Sequence, residues 1–220
     1  MRNVVVVTGT GTEVGKTWVI ARLIERLRAA DENVAARKPV QSFDAGHGPT
    51  DADLLAMASG EPPALVCPPH RSYELAMAPP MAATALDRLP FSIAELVVEI
   101  DVPPAGVVFV EGVGGPASPL ADDGDTIALA EALDADRVLL VAGAGLGAIN
   151  DIRLASAAFG GRPITVFLNR FDPGDRVHRA NRSWLTDRCA LDVYVDLGEL
   201  ALSFQSTAST RRSHERSIRA

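Results

Sequence analysis

The sequence predicts an α/β fold in which helices cover both faces of a doubly wound, mostly parallel sheet. Five short β-branched runs are almost continuously apolar, as is typical of strands buried on both faces. These runs are residues 4–8, 34–37, 107–110, 138–142 and 164–168. Helical patterns lie between them, and strands that alternate with helices favour a parallel sheet with right-handed crossovers. No internal repeat or linker is evident, so we expect one domain over residues 1–206.

The helical patterns are recognised by apolar residues spaced three and four apart. In residues 18–28 these positions are Val19, Ile20, Leu23, Ile24 and Leu27. Residues 93–100 and 127–133 have similar patterns, and a further helix is predicted after Asn150. The proline-rich stretch 43–104 predicts binding loops with one or two helices.

Composition limits the classes of partner. The chain has 220 residues and a formal net charge of -7, which argues against nucleic acid and anionic membranes as partners. Cys67 and Cys189 match no metal-ligand spacing, so we interpret them as reduced thiols. No apolar run reaches membrane-spanning length, and we expect a cytoplasmic protein. The polar tail at residues 207–220 is expected to be disordered.

The strongest motif lies between the first predicted strand and the first predicted helix. Residues 9–17 read Gly-Thr-Gly-Thr-Glu-Val-Gly-Lys-Thr, with five residues rather than the usual four between the outer glycines. Glycines let backbone N–H groups surround phosphate oxygens, and the helix start adds its dipole. Lys16 can reach the β- and γ-phosphates, and the Thr17 hydroxyl can bind Mg²⁺. The motif predicts an Mg²⁺-dependent enzyme with a P-loop NTPase fold.

Two further strand ends carry charged residues. Glu111 follows the third predicted strand and precedes a glycine-rich turn, so its carboxylate could hold Mg²⁺ beside the P-loop. A solvated acid at a strand end is the alternative.

Lys38 follows the second strand, with Ser42 four residues later. Lys38 could place a second ammonium near transferring charge, and an ordinary surface lysine is an equally good interpretation.

Taken together, these motifs resemble the dethiobiotin synthetase family, whose enzymes close a ureido ring from a diamino acid, CO₂ and ATP. The resemblance extends from about residue 4 to about residue 200 and rests on the order and separation of several segments. These segments are residues 8–17, 38–42, 53–56, 78–79, 110–115, 119–120 and 146–150, together with Asn169. The resemblance implies an ATP-dependent cyclo-ligase of biotin biosynthesis. It further implies ATP as co-substrate, Mg²⁺ as cofactor, diaminopelargonate and CO₂ as the other substrates, and a homodimer with its sites at the interface.

The resemblance also implies roles for individual residues. Thr12, Lys38 and Ser42 would hold the diamine and its carbamate, and Lys16, Lys38 and Thr12 would be catalytic. The implied nucleotide-binding residues are Glu13, Val14, Gly15, Lys16, Thr17, Trp18, Asp53, Glu111, Gly112, Val113, Gly114, Asn169 and Arg170, with Asn169 contacting adenine.

The implied Mg²⁺ ligands are Thr17, Asp53 and Glu111. Asp51 remains the alternative acid, and Asp53 is preferred because the Leu-Leu-Ala that follows it continues the family pattern. Gly147 and Asn150 belong to a turn that would bind the carboxylate tail of the substrate across the subunit interface. Free N–H groups at a helix start favour such an anion.

Some positions depart from the family pattern. Asp151 places an acid beside the carboxylate-binding turn, where a neutral residue or histidine is expected. Val113 replaces a small residue, and residues 116–118 are Pro-Ala-Ser rather than bulkier apolar residues.

Three other interpretations stay open. A partner-switching P-loop ATPase would carry a lysine where Gly11 stands, and a corrinoid amide synthase would usually bring a glutaminase domain, for which 220 residues leave little room. A catalytically degenerate nucleotide-binding paralogue is the third, with Asp151 as its main support.

Overall fold

The computed structural model describes residues 2–46, 48–104 and 106–205. The strands in these residues are β1 (Arg2–Gly9), β2 (Val34–Arg37), β3 (Gln41–Ser42), β4 (Ser72–Tyr73), β5 (Gly106–Glu111), β6 (Pro119–Ala121), β7 (Gly124–Asp125), β8 (Arg137–Gly143), β9 (Ile164–Asn169) and β10 (Asp192–Tyr194). The helices are α1 (Lys16–Ala29), α2 (Asp51–Ser59), α3 (Pro63–Val66), α4 (Pro79–Ala85), α5 (Ile93–Glu99), α6 (Thr126–Ala132), α7 (Ala148–Ala157), α8 (Arg176–Cys189) and α9 (Leu197–Leu202), with a short 3₁₀ helix at Pro69–Arg71. The disorder expected at residues 207–220 falls outside the described residues.

A six-stranded sheet forms the centre of the fold. Its strand order is β10-β9-β8-β1-β5-β2, and every neighbouring pair is parallel. The five predicted strands are its four inner members and the β2 edge, and this prediction is confirmed. The short edge strand β10 was not predicted, because its three half-exposed residues carry no apolar run.

Helices pack on both faces of this sheet, as predicted. Val5 and Val7 of β1 point into one core layer with α1, α2 and α9, whereas Val4 and Val6 point into the opposite layer with α5 and α6. Alternate residues of one strand thus enter different layers, which explains why residues 4–7 of β1 are all apolar. Within the described residues, no helix is long and apolar enough to cross a membrane.

The structure corrects two helix predictions. The helix expected after Asn150 begins at Ala148, so Asn150 lies within its first turn. The stretch between residues 43 and 104 contains the four helices α2 to α5, more than the one or two expected. Two of them begin with capping boxes, at Thr50 and Ser92, in which side chain and backbone satisfy each other's hydrogen bonds.

Strand register brings the predicted functional residues to one edge of the sheet. Val7 of β1 pairs with Glu111 of β5, and Arg37 of β2 pairs with Val110. Lys38 therefore leaves its strand directly beside Glu111. The carboxyl ends of parallel strands open on the ligand crevice of such sheets, so this edge is the candidate site.

Candidate nucleotide and substrate site

The glycine-rich loop joins β1 to α1 and is fixed by backbone hydrogen bonds. Thr10 N donates to Val141 O at 3.0 Å, and Gly9 N donates to Gly114 O at 3.3 Å. Gly15 precedes the first helical residue with a φ of 93°. A Cβ atom there would lie 2.3 Å from Asn169 Nδ2, so both the backbone conformation and the close approach require glycine.

Lys16 begins α1 and is almost fully buried, with 8% of its surface exposed. Its Nζ donates to Gly11 O at 3.0 Å, so the side chain curls back over the loop. Burial lowers the pKa of Lys16, and the attraction of Glu111 opposes this effect. A desolvated ammonium at a helix N-terminus is suited to bind phosphate.

Lys38 forms the centre of a buried charge cluster. Its Nζ donates to Glu111 Oε1 at 2.8 Å, to Asp51 Oδ2 at 2.9 Å and to Gly112 O at 3.1 Å. Burial tends to lower the pKa of Lys38, but Glu111 and Asp51 outweigh it and the pKa is raised, so the side chain is an ammonium. The structure therefore excludes the interpretation of Lys38 as an ordinary surface lysine, since 2% of it is exposed.

Thr17 contacts the same two carboxylates. Its Oγ1 lies 2.9 Å from Asp51 Oδ1 and 2.9 Å from Glu111 Oε1. Burial raises the pKa of the Glu111 carboxyl group and Lys38 opposes the rise, whereas the pKa of Asp51 is lowered because Lys38 outweighs its burial. Glu111 Oε2 is buried and has no hydrogen-bond partner. Buried polar atoms nearly always have a hydrogen-bond partner, so this oxygen is a candidate contact for a bound ion or ligand.

The structure places the side chains of Asp51 and Asp53 differently, and which of the two acids binds Mg²⁺ stays a prediction. Asp53 Oδ2 accepts hydrogen bonds from Thr50 N at 2.9 Å and Thr50 Oγ1 at 2.8 Å, so its side chain caps α2. Asp51 instead contacts Thr17 and Lys38. Both acids lie in the first turn of α2, and the capping box directs one of them away from the cluster.

The oxygens of Thr17, Asp51 and Glu111 suit a hard cation such as Mg²⁺. Among the described residues, no three His, Cys, Asp or Glu side chains converge to form a self-sufficient metal site. Mg²⁺ usually binds through one or two carboxylates together with substrate phosphates and water, so two carboxylates and a hydroxyl beside a P-loop fit it. The unpaired Glu111 Oε2 supports the same interpretation.

A cavity of about 800 Å³ extends from the P-loop past Lys38. Its polar lining includes Thr12, Lys16, Thr17, Lys38, Ser42, Asp51, Glu111 and Ser118, with Glu13, Gly15, Trp18, Val113 and Gly114 also on its wall. Its apolar wall is formed by Leu54 and residues 76–79. Leu54 and residues 78–79 belong to segments on which the family resemblance rests, but the sequence assigned none of these residues to the site. Ser42 Oγ donates to Met77 O at 2.5 Å, which joins the polar and apolar sides.

A second cavity of about 590 Å³ lies on the other side of the P-loop. Gly15, Trp18, Asn169 and Arg170 line it together with residues 195–197, which connect β10 to α9. Asn169 Nδ2 donates to Val14 O at 2.9 Å, and Asn169 Oδ1 accepts from Arg170 N at 3.0 Å. Asn169 thus links β9 to the loop, and its contact with adenine stays a prediction.

Gly147 and Asn150 do not line the cavity beside Lys38. Gly147 precedes α7 with a φ of 89°, and Asn150 Nδ2 donates to Asp151 Oδ1 at 3.2 Å. Gly112 is not among the residues that line this cavity. It packs against Thr126, where a Cβ atom on Gly112 would lie 2.3 Å from Oγ1, and its carbonyl oxygen accepts a hydrogen bond from Lys38 Nζ.

A parallel sheet, a glycine-rich loop at its carboxyl edge and a buried lysine at the following helix start define a P-loop nucleotide-binding protein. A family model described as "AAA domain" matches residues 3–181. The chain is also similar to proteins described as ATP-dependent dethiobiotin synthetase BioD. The one from Haloferax mediterranei is 35% identical over 194 residues, which cover 86% of this chain and 81% of the relative. The chain belongs to the dethiobiotin synthetase family.

Alignments with other relatives of the same description also cover most of this chain and most of the relative. The protein from Xylella fastidiosa strain Temecula1 is 34% identical over 221 residues, covering 94% of this chain and 95% of the relative. The protein from Anaeromyxobacter dehalogenans is 40% identical over 176 residues, or 77% of each chain. Among solved structures, the signal recognition particle receptor FtsY from Elizabethkingia anophelis has a TM-score of 0.52 at 18% identity. The alignment covers 94% of this chain and 63% of that receptor, and the likeness concerns the fold.

Proposed function

We propose that this protein closes the ureido ring of dethiobiotin from 7,8-diaminopelargonate, CO₂ and ATP. Family membership supports this activity. The observation in this protein that best supports the ring-closing activity is the buried Lys38, which faces a cavity continuous with the P-loop. A nucleotide-binding site alone would not need a second buried ammonium on the wall of the cavity that Lys16 lines. The apolar wall at Leu54 and residues 76–79 suits the alkyl chain of the diamine.

The proposed reaction has three steps. One amine of the substrate adds to CO₂ and loses a proton, which gives a carbamate. A carbamate oxygen attacks the γ-phosphorus of ATP, and ADP leaves, which gives a mixed carbamic–phosphoric anhydride. The second amine attacks the carbonyl carbon, loses a proton and expels inorganic phosphate as the ring closes. Every step keeps anionic groups close together, so positive charge in fixed positions should lower the barrier.

We assign each residue of the site to a reactant according to its position in the cavity. Lys16 and the N–H groups of the loop would bind the phosphates, and Lys38 would face the carbamate with Thr12 and Ser42 nearby. Mg²⁺, when bound, would neutralise phosphate charge. We propose that Thr17, Asp51 and Glu111 would hold it, with Asp51 in place of the Asp53 preferred from the sequence; the contacts of Thr17 with both carboxylates support this choice.

One assay tests the activity directly. Purified protein is incubated with diaminopelargonate, bicarbonate, Mg²⁺ and ATP, and mass spectrometry follows the ring-closed product. We expect product in a 1:1 ratio to ADP and inorganic phosphate. Phosphate release without the ring-closed product would contradict the proposal and favour a switching ATPase.

Asp51 and Asp53 offer a matched pair for the metal site. We expect Asp51→Asn to raise the Mg²⁺ concentration needed for half-maximal turnover by roughly 10-fold or more, the usual scale for losing a group in or around a metal site. Asp53→Asn should shift it far less, because that side chain caps α2 and an amide oxygen can still accept from Thr50. Equal shifts in both variants would contradict the assignment of Asp51. Mg²⁺ titration of turnover is the measurement.

We also propose that the protein is a homodimer whose interface includes α7. Leu146 before this helix is 91% exposed and Leu154 within it is 67% exposed. Apolar side chains this exposed beside one helix suit a subunit contact. The turn at Gly147 and Asn150 could then reach the site of the other subunit, as the family resemblance implies.

Leu154→Glu should weaken this dimer by about 100-fold or more, because an unpaired charge in an apolar interface is costly. Leu202→Glu is the control, since Leu202 is 64% exposed on α9. Sedimentation velocity over a concentration series measures both. A wild type that stays monomeric throughout the series would refute the dimer.

A further inference from the structure

Both lysines of the chain lie in the site. The sequence contains nineteen arginines but two lysines, Lys16 and Lys38. Lys16 is bonded to its own loop at Gly11 O, whereas Lys38 is bonded to both carboxylates of the cluster. The two ammonium groups therefore have different partners, although they line the same cavity.

The cluster has more acceptors than donors. Thr17 Oγ1 has one proton to donate, yet it lies 2.9 Å from an oxygen of Asp51 and 2.9 Å from an oxygen of Glu111. Lys38 contributes the remaining donors, and Glu111 Oε2 still has no partner. Two carboxylates this close repel each other unless a cation lies between them. In this structure that cation is the Lys38 ammonium.

We propose that Lys38 holds Asp51 and Glu111 together before ligands bind and leaves them when a divalent cation arrives with the nucleotide. The oxygens that Lys38 contacts belong to the residues that would hold the divalent ion, so both cations compete for the same negative charge. The released ammonium can then approach the second substrate, a step that rests on the proposed function. Lys38 would thus be made available for the reaction by metal and nucleotide loading.

The side chain of Lys38 is suited to this exchange. Lysine is a compact charge on a flexible stem, so its ammonium can move without a change of backbone. Lys38 N is fixed by a 2.7 Å hydrogen bond to Val66 O, which keeps the stem in place. Ser42 and Thr12 line the same cavity and offer the ammonium oxygen contacts on the substrate side.

Nuclear magnetic resonance can observe the exchange directly, because two lysines give two ammonium signals. Protein labelled with ¹⁵N-lysine and ¹³C-carboxylates should show coupling from Lys38 Nζ across its hydrogen bonds to the carboxylates of Asp51 and Glu111. We expect this coupling in the free protein and with ADP plus a chelator. It should disappear with ADP and Mg²⁺. Its persistence at saturating ADP and Mg²⁺ would overturn the proposal.

A binding experiment tests the competition without nucleotide or diamine. Electron paramagnetic resonance measures Mn²⁺ affinity in the wild type, in Lys38→Met and in Lys16→Met. We expect Lys38→Met to bind Mn²⁺ at least about 10-fold more tightly, since it removes the competing ammonium. Lys16→Met removes the same charge from a side chain bonded to Gly11 O and should have a much smaller effect. Equal gains in both variants, or no gain in Lys38→Met, would refute the competition.

These measurements are independent of ring closure. If the protein made no dethiobiotin but Lys38 still exchanged with Mn²⁺, the proposed function would fail and this inference would stand. If the ring closed but the coupling persisted with ADP and Mg²⁺, the proposed function would stand and this inference would fail. Wild-type protein suffices for the resonance experiment, so the inference does not depend on the folding of a variant.

Discussion

Lys16→Ala should reduce ATP turnover by about 100-fold or more, the scale for losing one preorganised electrostatic group. Lys16 is the first residue of α1, and its ammonium lies within the loop that would enclose the phosphates. The fold should persist, because the Lys16 ammonium donates to Gly11 O of its own loop rather than to another helix or strand. Alanine also favours a helix, so α1 should still form. Phosphate release and circular dichroism measure the two effects.

Arg22→Ala is the matched control for this change. Arg22 lies on the same helix, carries the same charge and forms an exposed ion pair with Glu25. Such pairs contribute little to stability, so the control should keep both fold and turnover. A folded Lys16→Ala protein with wild-type phosphate release would remove the P-loop assignment.

The central sheet could be predicted from the sequence because its strands are buried on both faces. β1, β5 and β8 each contain an uninterrupted apolar run of at least four residues, as is typical of strands buried on both faces. The P-loop could be predicted for a different reason. Its glycines, lysine and threonine are required by backbone geometry and phosphate chemistry, which leave little choice of residue.

The arrangement of the acids could not be predicted in the same way. Asp51 and Asp53 both lie in the first turn of α2, and either could face the P-loop on sequence grounds. The difference is made by the capping box, since Thr50 and Asp53 satisfy each other. A threonine three residues before an acid is a capping-box signal, and applied here it would have favoured Asp51 as the free acid.

Residues 195–197 on the wall of the second cavity carry no sequence signal of a binding site, although the family resemblance assigns Gly15, Trp18, Asn169 and Arg170 on the same wall to the nucleotide. β10 has three residues, none of them fully buried, and residues 195–197 have no glycine-rich or charged pattern typical of a binding loop. Their place beside Trp18 and Arg170 depends on how the chain returns to the sheet edge. That return is set by long-range packing of α9 against α1 rather than by local sequence.

Lys38→Gln should retain ATP binding and slow ring closure by roughly 100-fold or more, because it removes charge that would act in the transition state. Glutamine keeps much of the reach of lysine but cannot neutralise the carbamate or the transferring phosphoryl group. The ammonium has three contacts with Glu111, Asp51 and Gly112, so a stability measurement must accompany the assay. Calorimetry gives the ATP affinity, and mass spectrometry gives the rate of product formation.

Arg88→Gln serves as the control, because it removes one positive charge from an exposed position after α4. This substitution should change neither the ATP affinity nor the rate of product formation. The Lys38 result also separates the ligase from the alternatives, since a partner-switching ATPase has no second substrate beside Lys38. Its nucleotide hydrolysis should therefore survive the substitution. A folded Lys38→Gln protein that closes the ring at the wild-type rate would contradict the proposed role of Lys38. A wild type that neither binds the diamine nor releases phosphate in its presence would instead favour a degenerate nucleotide-binding protein.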